Sequence, residues 1–134
     1  MPYPIQIKIG EESVSAELND SQTAVEIISN LPLKSEFSTW GDEIYFPVPI
    51  TMKLENGKEV VDKGDIGYWP PGKALCIFYG TTPASTESEI RPASAVTLIG
   101  KVTGDTEIFK KLVQQSNTIE VMKGKNQVKP DSVY

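Results

Sequence analysis

Histidine is absent from the sequence, and cysteine and arginine each occur once. Without histidine, a Ser-His-Asp triad, a Cys-His dyad and a His-ligated metal site are excluded. Cys76 has no partner for a disulfide within the chain. Its apolar neighbours Leu75 and Ile77 predict a buried strand residue rather than a reactive thiol. No metal site is predicted.

The sequence also lacks a basic cluster and a long apolar run. The 13 basic residues are scattered, 12 of them are lysines, and the net charge is −5. A nucleic-acid surface needs clustered cations, and a membrane span needs about 20 apolar residues. We therefore expect neither a nucleic-acid partner nor a membrane partner. The first residues lack the basic and apolar regions of a signal peptide, which predicts a cytoplasmic protein.

Glycine-rich nucleotide motifs are missing as well. The segments 64–67 (Gly-Asp-Ile-Gly) and 71–73 (Pro-Gly-Lys) do not have the spacing of a P-loop or a dinucleotide fingerprint. No cofactor is predicted from them. Composition is otherwise ordinary, with 39% hydrophobic and 23% charged residues. The length suits one domain, which we place at 1–123, followed by a polar and flexible tail at 124–134.

Hydrophobic periodicity predicts a mainly β chain with two helices. Alternation at 5–9 and 14–18 predicts an antiparallel hairpin. Apolar residues at helical spacing predict one helix from about 22 to 31 and another around 108–113. Asn56-Gly57 predicts a tight hairpin turn between strands 50–54 and 59–61. Further strands are predicted at 33–39, 43–46, 66–69, 75–79, 96–102 and 118–122.

Short strands joined by tight turns favour a closed barrel, because closure removes the exposed edges of a sheet. The two helices would then cover the open ends of the barrel. The alternative is an open α+β sheet.

One short motif occurs twice, at 41–47 (Gly-Asp-Glu-Ile-Tyr-Phe-Pro) and at 64–70 (Gly-Asp-Ile-Gly-Tyr-Trp-Pro). Proline lacks the N–H that a strand ladder needs, so each aromatic pair falls where a strand ends. Together with a third aromatic pair, Phe78-Tyr79, these residues predict an aromatic-lined groove. The alternative is that they supply core volume, which alternation allows for about half of them. The six aromatic residues are Tyr45, Phe46, Tyr68, Trp69, Phe78 and Tyr79.

A long polar segment, 79–94, lies between two predicted strands and contains Glu89 and Arg91. Long loops in small domains are often functional, and a guanidinium suits a carboxylate or phosphate. Arg91 is therefore a candidate for ligand binding. The alternative is that Arg91 pairs with a nearby acidic residue and holds the loop against the barrel.

The runs Gly-Asp-Ile-Gly-Tyr-Trp-Pro-Pro-Gly-Lys-Ala-Leu-Cys-Ile-Phe-Tyr-Gly (64–80), Ile-Arg-Pro-Ala-Ser (90–94) and Ile-Gly-Lys-Val (99–102) resemble the small cyclophilin-like family of archaea and bacteria. The resemblance extends to about Met122. It implies a shortened cyclophilin fold, which is a closed eight-stranded barrel capped by two helices. It also implies that Tyr45, Phe46, Trp69 and Phe78 lie in pocket-forming strands.

Cyclophilins proper are peptidyl-prolyl isomerases, but their Phe-His-Arg and Phe-Met-Gln-Gly-Gly motifs are missing here, and segment 35–39 contains no cation. We therefore expect a protein that binds a peptide segment or a small ligand in the aromatic groove. The alternatives are a weak prolyl isomerase that uses Arg91 and an enzyme acting on an unidentified small metabolite. The candidate ligand-binding residues are Glu43, Tyr45, Phe46, Trp69, Phe78 and Arg91.

Overall fold

The structure, a computed structural model, describes residues 2–124. These residues contain two helices, α1 (Gln22–Ser29) and α2 (Ile108–Gln115), and a 3₁₀ turn at Pro70–Gly72. Of the predicted tail, only Gly124 is described; its N–H donates to the carbonyl of Pro4, and 125–134 lie outside the described residues. The strands are β1 (Tyr3–Ile9), β2 (Glu12–Leu18), β3 (Leu33–Glu36), β4 (Ser38–Thr39), β5 (Glu43–Pro47), β6 (Asp65–Trp69), β7 (Ala74–Phe78), β8 (Thr97–Val102) and β9 (Thr118–Lys123).

The strands form one sheet in the order β3-β9-β1-β2-β8-β6-β7-β5-β4. Its two end strands are consecutive in the chain, since only Phe37 separates β3 from β4. The first half of this segment pairs with β9 and the second half pairs with β5. The sheet therefore closes on itself through a single segment and leaves no long free edge.

This architecture confirms the predicted mainly β barrel with two helices, and the open-sheet alternative is wrong. The described residues contain nine strands rather than eight because the predicted strand 33–39 is interrupted at Phe37. Counted as one strand, β3 and β4 restore the expected number of eight. The interruption lets one segment pair with a different neighbour on each side of Phe37.

The two helices lie at opposite ends of the barrel. Strands β2 and β8 are antiparallel, with Leu18 opposite Gly100. Since α1 follows the end of β2 and α2 follows the end of β8, the helices emerge at opposite ends. Each is eight residues long, and no helix within 2–124 has the length and apolar character that crossing a membrane requires. Their buried residues are Thr23, Ala24, Ile27, Phe109 and Leu112.

Side chains fill the interior of the barrel. Large aromatic residues from β5 and β6 lie there beside aliphatic residues of the other strands, and the ring of Tyr79 contacts that of Phe109 with centroids 5.8 Å apart. The cavity that remains measures about 10 Å³, which is room for one water molecule at most. A ligand must therefore bind elsewhere on the molecule.

The predicted hairpin 50–54/59–61 is wrong. Asn56 does adopt the left-handed backbone that its turn signal indicates, with φ of 48°. The two flanking segments nevertheless separate, because each finds hydrogen bonds to other parts of the chain. The second segment forms isolated bridges between Lys58 and Val96 and between Val61 and Ile90.

Tyr68 holds the first of these segments in place. Its ring is fully buried in the barrel, and its hydroxyl donates to the carbonyl of Ile50 at 2.6 Å. The same oxygen accepts from the N–H of Met52 at 3.2 Å. A local turn preference is weaker than this combination of a buried ring with two satisfied backbone groups.

Tyr68→Phe is expected to lower the free energy of unfolding by about 1 to 3 kcal/mol, because it leaves a buried carbonyl without its donor and an N–H without its acceptor. Urea denaturation followed by circular dichroism measures the change. Tyr3→Phe is the matched control, since the Tyr3 hydroxyl makes no hydrogen bond within residues 2–124. Equal stability of both variants and the native chain would contradict the role given to Tyr68.

Candidate functional site

The two copies of the repeated motif flank one strand. β5 and β6 lie on either side of β7, and each begins at a Gly-Asp turn. Gly41 and Gly64 both have positive φ, at 61° and 97°. At the first turn the N–H of Tyr79 donates to the carbonyl of Asp42, and at the second the N–H of Gly64 donates to the carbonyl of Phe78. Both turns are therefore anchored at the same end of β7.

The two copies meet β7 in registers that differ by one residue. Ile77 lies opposite Ile44, the fourth residue of the first copy, and opposite Ile66, the third residue of the second. Because side chains alternate along a strand, this shift turns opposite members of the two aromatic pairs outward. The outward residues are Tyr45 and Trp69, and the inward residues are Phe46 and Tyr68.

A groove on the outer face of the barrel, which we call the outer groove, lies between these two aromatic residues. Its volume is about 310 Å³, near the lower end of the range for ligand pockets. It brings together three predicted site residues, Glu43, Tyr45 and Trp69. The full lining consists of Trp40, Glu43, Tyr45, Trp69, Cys76, Pro92, Ala93 and Val96.

Phe46 and Phe78 do not line the outer groove, contrary to expectation. Phe46 points into the barrel, where it is 1% exposed. Phe78 points outward but is fully covered by residues such as Val61 and Ile90, which belong to the segments lying over the sheet. Phe46 points inward because side chains alternate along a strand. Phe78 is covered because the segment 59–61 of the expected hairpin lies over it instead of pairing with 50–54.

The floor of the outer groove is formed by Cys76. Tyr45 lies opposite Cys76 on β5, and Gly67 lies opposite it on β6. A Cβ atom at Gly67 would lie 2.9 Å from Cγ2 of Val96, so only glycine leaves room for Val96 above the sheet. Sequence reasoning missed Val96 because its contact depends on this empty position.

The loop that follows β7 contributes Pro92 and Ala93 to the lining of the outer groove. Ser85 Oγ accepts from the N–H of Thr82 at 2.9 Å and from the N–H of Arg91 at 3.1 Å. Thr82 is buried, and its hydroxyl donates to the carbonyl of Arg91. These bonds fix the turn that places Pro92 and Ala93 in the outer groove.

Arg91 itself does not line the outer groove. Its Nε and Nη2 donate to Oε1 of Glu89 at 3.1 and 2.8 Å. The two side chains are 36% and 40% exposed. The alternative expectation, that Arg91 pairs with a nearby acidic residue, describes the observed geometry, although the pair lies within the loop.

Both tryptophans of the protein line the outer groove. Trp69 Nε1 donates to Oγ of Ser94 at 2.7 Å, which joins the barrel to the loop. Trp40, which sequence reasoning missed, lies directly before the first Gly-Asp turn, and its N–H donates to the carbonyl of Glu43 at 2.9 Å. The only sequence signal for Trp40 was its position next to the first motif copy, since the second copy is preceded by Lys63.

Glu43 carries the one unusual polar group in this site. The residue is 5% exposed, and within residues 2–124 its Oε1 is the only buried side-chain oxygen or nitrogen without a hydrogen-bond partner. Burial raises the pKa of the carboxyl group, and a hydrogen bond from the Cys76 thiol opposes the rise. Glu43 therefore gives the groove a buried acceptor that nothing within residues 2–124 satisfies.

Cys76 is unsuited to nucleophilic chemistry. Burial and the neighbouring Glu43 raise the pKa of its thiol well above the ordinary value, so the thiol stays protonated near neutral pH. Among residues 2–124 no three His, Cys, Asp or Glu side chains lie close enough together to hold a metal ion. The chemistry that the groove offers is apolar and aromatic contact, the indole N–H of Trp40, the hydroxyl of Tyr45 and the unsatisfied acceptor of Glu43.

A closed barrel with a helix at each end and a groove on its outer face defines the class of protein as a cyclophilin-like barrel. The model of the Cyclophilin-like family matches residues 3–122, and the chain belongs to that family. The comparison with curated proteins gives no match.

Two solved structures share the fold. The solution structure of the hypothetical protein AF2241 from Archaeoglobus fulgidus is 33% identical, covers 92% of this chain and 95% of its own, and superposes with a TM-score of 0.70. McbB, solved in complex with tryptophan, also superposes with a TM-score of 0.70, at 13% identity. That match covers 93% of this chain and 46% of McbB, and it shows the fold alone.

Glu43→Met is expected to raise the free energy of unfolding by about 1 to 3 kcal/mol at neutral pH, because it removes a buried acceptor without a partner. Since burial raises the folded-state pKa of Glu43 above 4.5, the contribution of Glu43 to stability is most favourable below that value and is lost as pH rises through the folded pKa. The gain from Glu43→Met should therefore grow from acid to neutral pH. Urea denaturation over that range measures it.

Glu26→Met is the control for this change, since Glu26 is an exposed acidic residue on α1. It should shift stability only slightly and without the same pH dependence. A loss of stability in Glu43→Met at neutral pH would contradict the account of Glu43 as an unsatisfied buried acid.

Proposed function

We propose that this protein binds a small ligand, or a single side chain or terminus of a peptide, in the outer groove. The observation that carries the proposal is the unpartnered oxygen of Glu43 within an apolar, aromatic-lined pocket. A buried acceptor without a partner is costly to keep, and a ligand that donates to it removes the cost.

The construction of the outer groove supports this proposal. Ligand pockets are typically apolar and aromatic with a few polar groups that fix orientation. Here Tyr45 and Trp69 stand on strands of a closed barrel, and the loop wall is held by the hydrogen bonds of Thr82 and Ser85. Such a preformed site loses little side-chain freedom when it binds.

The complex of McbB with tryptophan supports a small-ligand function in one respect: a protein that contains this fold holds a small aromatic molecule. The prolyl isomerase alternative is less well supported, because the guanidinium of Arg91 is paired with Glu89 and does not line the outer groove. The metabolite enzyme alternative has no activated nucleophile among the groove residues, since the Cys76 pKa is raised.

A screen of small fragments, neutral and charged, tests the proposal through the indole N–H resonances of Trp40 and Trp69 in proton–nitrogen correlation spectra. Fragments that enter the outer groove should shift both resonances. Trp69→Ala should weaken their binding by about tenfold or more, because it removes one aromatic wall.

Ser94→Ala is the matched control for Trp69→Ala. It removes the hydrogen bond of the Trp69 indole and leaves the ring in the groove. Affinities should then stay close to native. If no fragment of any charge shifts the tryptophan resonances, the outer groove is not a ligand site and the proposal fails.

A further inference from the structure

The carboxyl group of Glu43 has no counter-charge within residues 2–124. The described residues contain four ion pairs, and Glu43 belongs to none of them. The neighbour that hydrogen-bonds it, Cys76, has a thiol that cannot supply positive charge. An ionised carboxylate in this position needs a cation that residues 2–124 do not supply.

The rings around Glu43 also favour a cation. Trp40, Tyr45 and Trp69 line the same groove of about 310 Å³ as the carboxyl group. The electron-rich face of an aromatic ring attracts an ammonium group, and tryptophan does so most strongly. The net charge of −5 adds an attraction of the same sign over longer distance.

The remaining walls select the rest of the ligand. Pro92, Ala93 and Val96 present apolar side chains that form no hydrogen bonds. With a single unsatisfied acceptor and apolar surroundings, the outer groove suits a molecule with one donor group on a hydrophobic body.

We propose that the outer groove binds an amine with an apolar or aromatic body, whose ammonium N–H donates to Oε1 of Glu43 and lies against the rings of Trp40, Tyr45 and Trp69. The inference rests on the proposed function of the outer groove as a ligand site. The amine can belong to a free small molecule or to the N-terminus of a peptide, since both present the same ammonium.

Three probes of similar shape separate charge from size: phenethylamine, phenethyl alcohol and hydrocinnamate. They carry an ammonium, a neutral hydroxyl and a carboxylate on the same phenyl body. The shifts of the tryptophan N–H resonances measure their affinities for the intact protein. We expect phenethylamine to bind at least about tenfold more tightly than the alcohol, with hydrocinnamate weakest.

Glu43→Gln keeps the size of the side chain and removes its charge. It should weaken the binding of phenethylamine by about tenfold or more and leave the affinity for phenethyl alcohol nearly unchanged. Glu26→Gln removes one charge from an exposed helical position and should leave all three affinities as they are. Should Glu43→Gln fail to fold, the charge series on the native protein decides the question alone.

Peptides identify the source of the amine. If phenylalanyl-glycine amide binds as tightly as phenethylamine and its N-acetyl form does not bind, the site accepts a peptide N-terminus. If only phenethylamine binds, it accepts a free amine. Either result supports the inference.

Two results would overturn it. If the alcohol binds as tightly as phenethylamine and shifts the same resonances, the outer groove is a ligand site but not an amine site. If none of the probes or screening fragments shifts the tryptophan resonances, both the amine inference and the proposed function fail.

Discussion

The pairing of β7 with β5 on one side and β6 on the other is the constraint on which the site depends. The two flanking strands carry the same motif in registers one residue apart, so Tyr45 and Trp69 point outward on either side of Cys76. With equal registers, one of them would point into the barrel. The empty side of Gly67 completes the arrangement, because it admits Val96 to the same surface.

A filled interior places any ligand on the outer face. The barrel buries Phe46, Tyr68 and Tyr79 inside, and the space left there is about 10 Å³. Meanwhile the loop after β7 and the segment 58–61 form a second layer over the outer face of β6, β7 and β8. The outer groove lies between the sheet and this second layer. Its lining therefore includes sheet residues such as Tyr45 and Trp69 and loop residues such as Pro92.

Most of the fold could be predicted because it follows from local patterns. Alternation and helical spacing identified the barrel strands and both helices, and the repeated motif pointed to Tyr45 and Trp69 as groove residues, although it pointed equally to the inward Phe46 and Tyr68. What failed depended on distant contacts. The separation of 50–54 from 59–61 requires the Tyr68 hydroxyl, and the covering of Phe78 requires a layer that no local pattern encodes. Sequence left Arg91 between a ligand and an acidic partner, because its pairing with Glu89 depends on the conformation of the loop.

Glu43 affects both the stability of the barrel and the ligand binding that we propose for it. An apolar residue at that position would suit the buried outer face better, since Glu43 Oε1 lacks a partner there. The same desolvation that destabilises an unpaired carboxyl also strengthens its attraction to a cation that enters the groove. A site made selective in this way binds weakly any molecule that cannot donate to Glu43, because the acceptor then stays unsatisfied in the complex. The instability of the empty groove and the selectivity of the filled one therefore have the same physical origin.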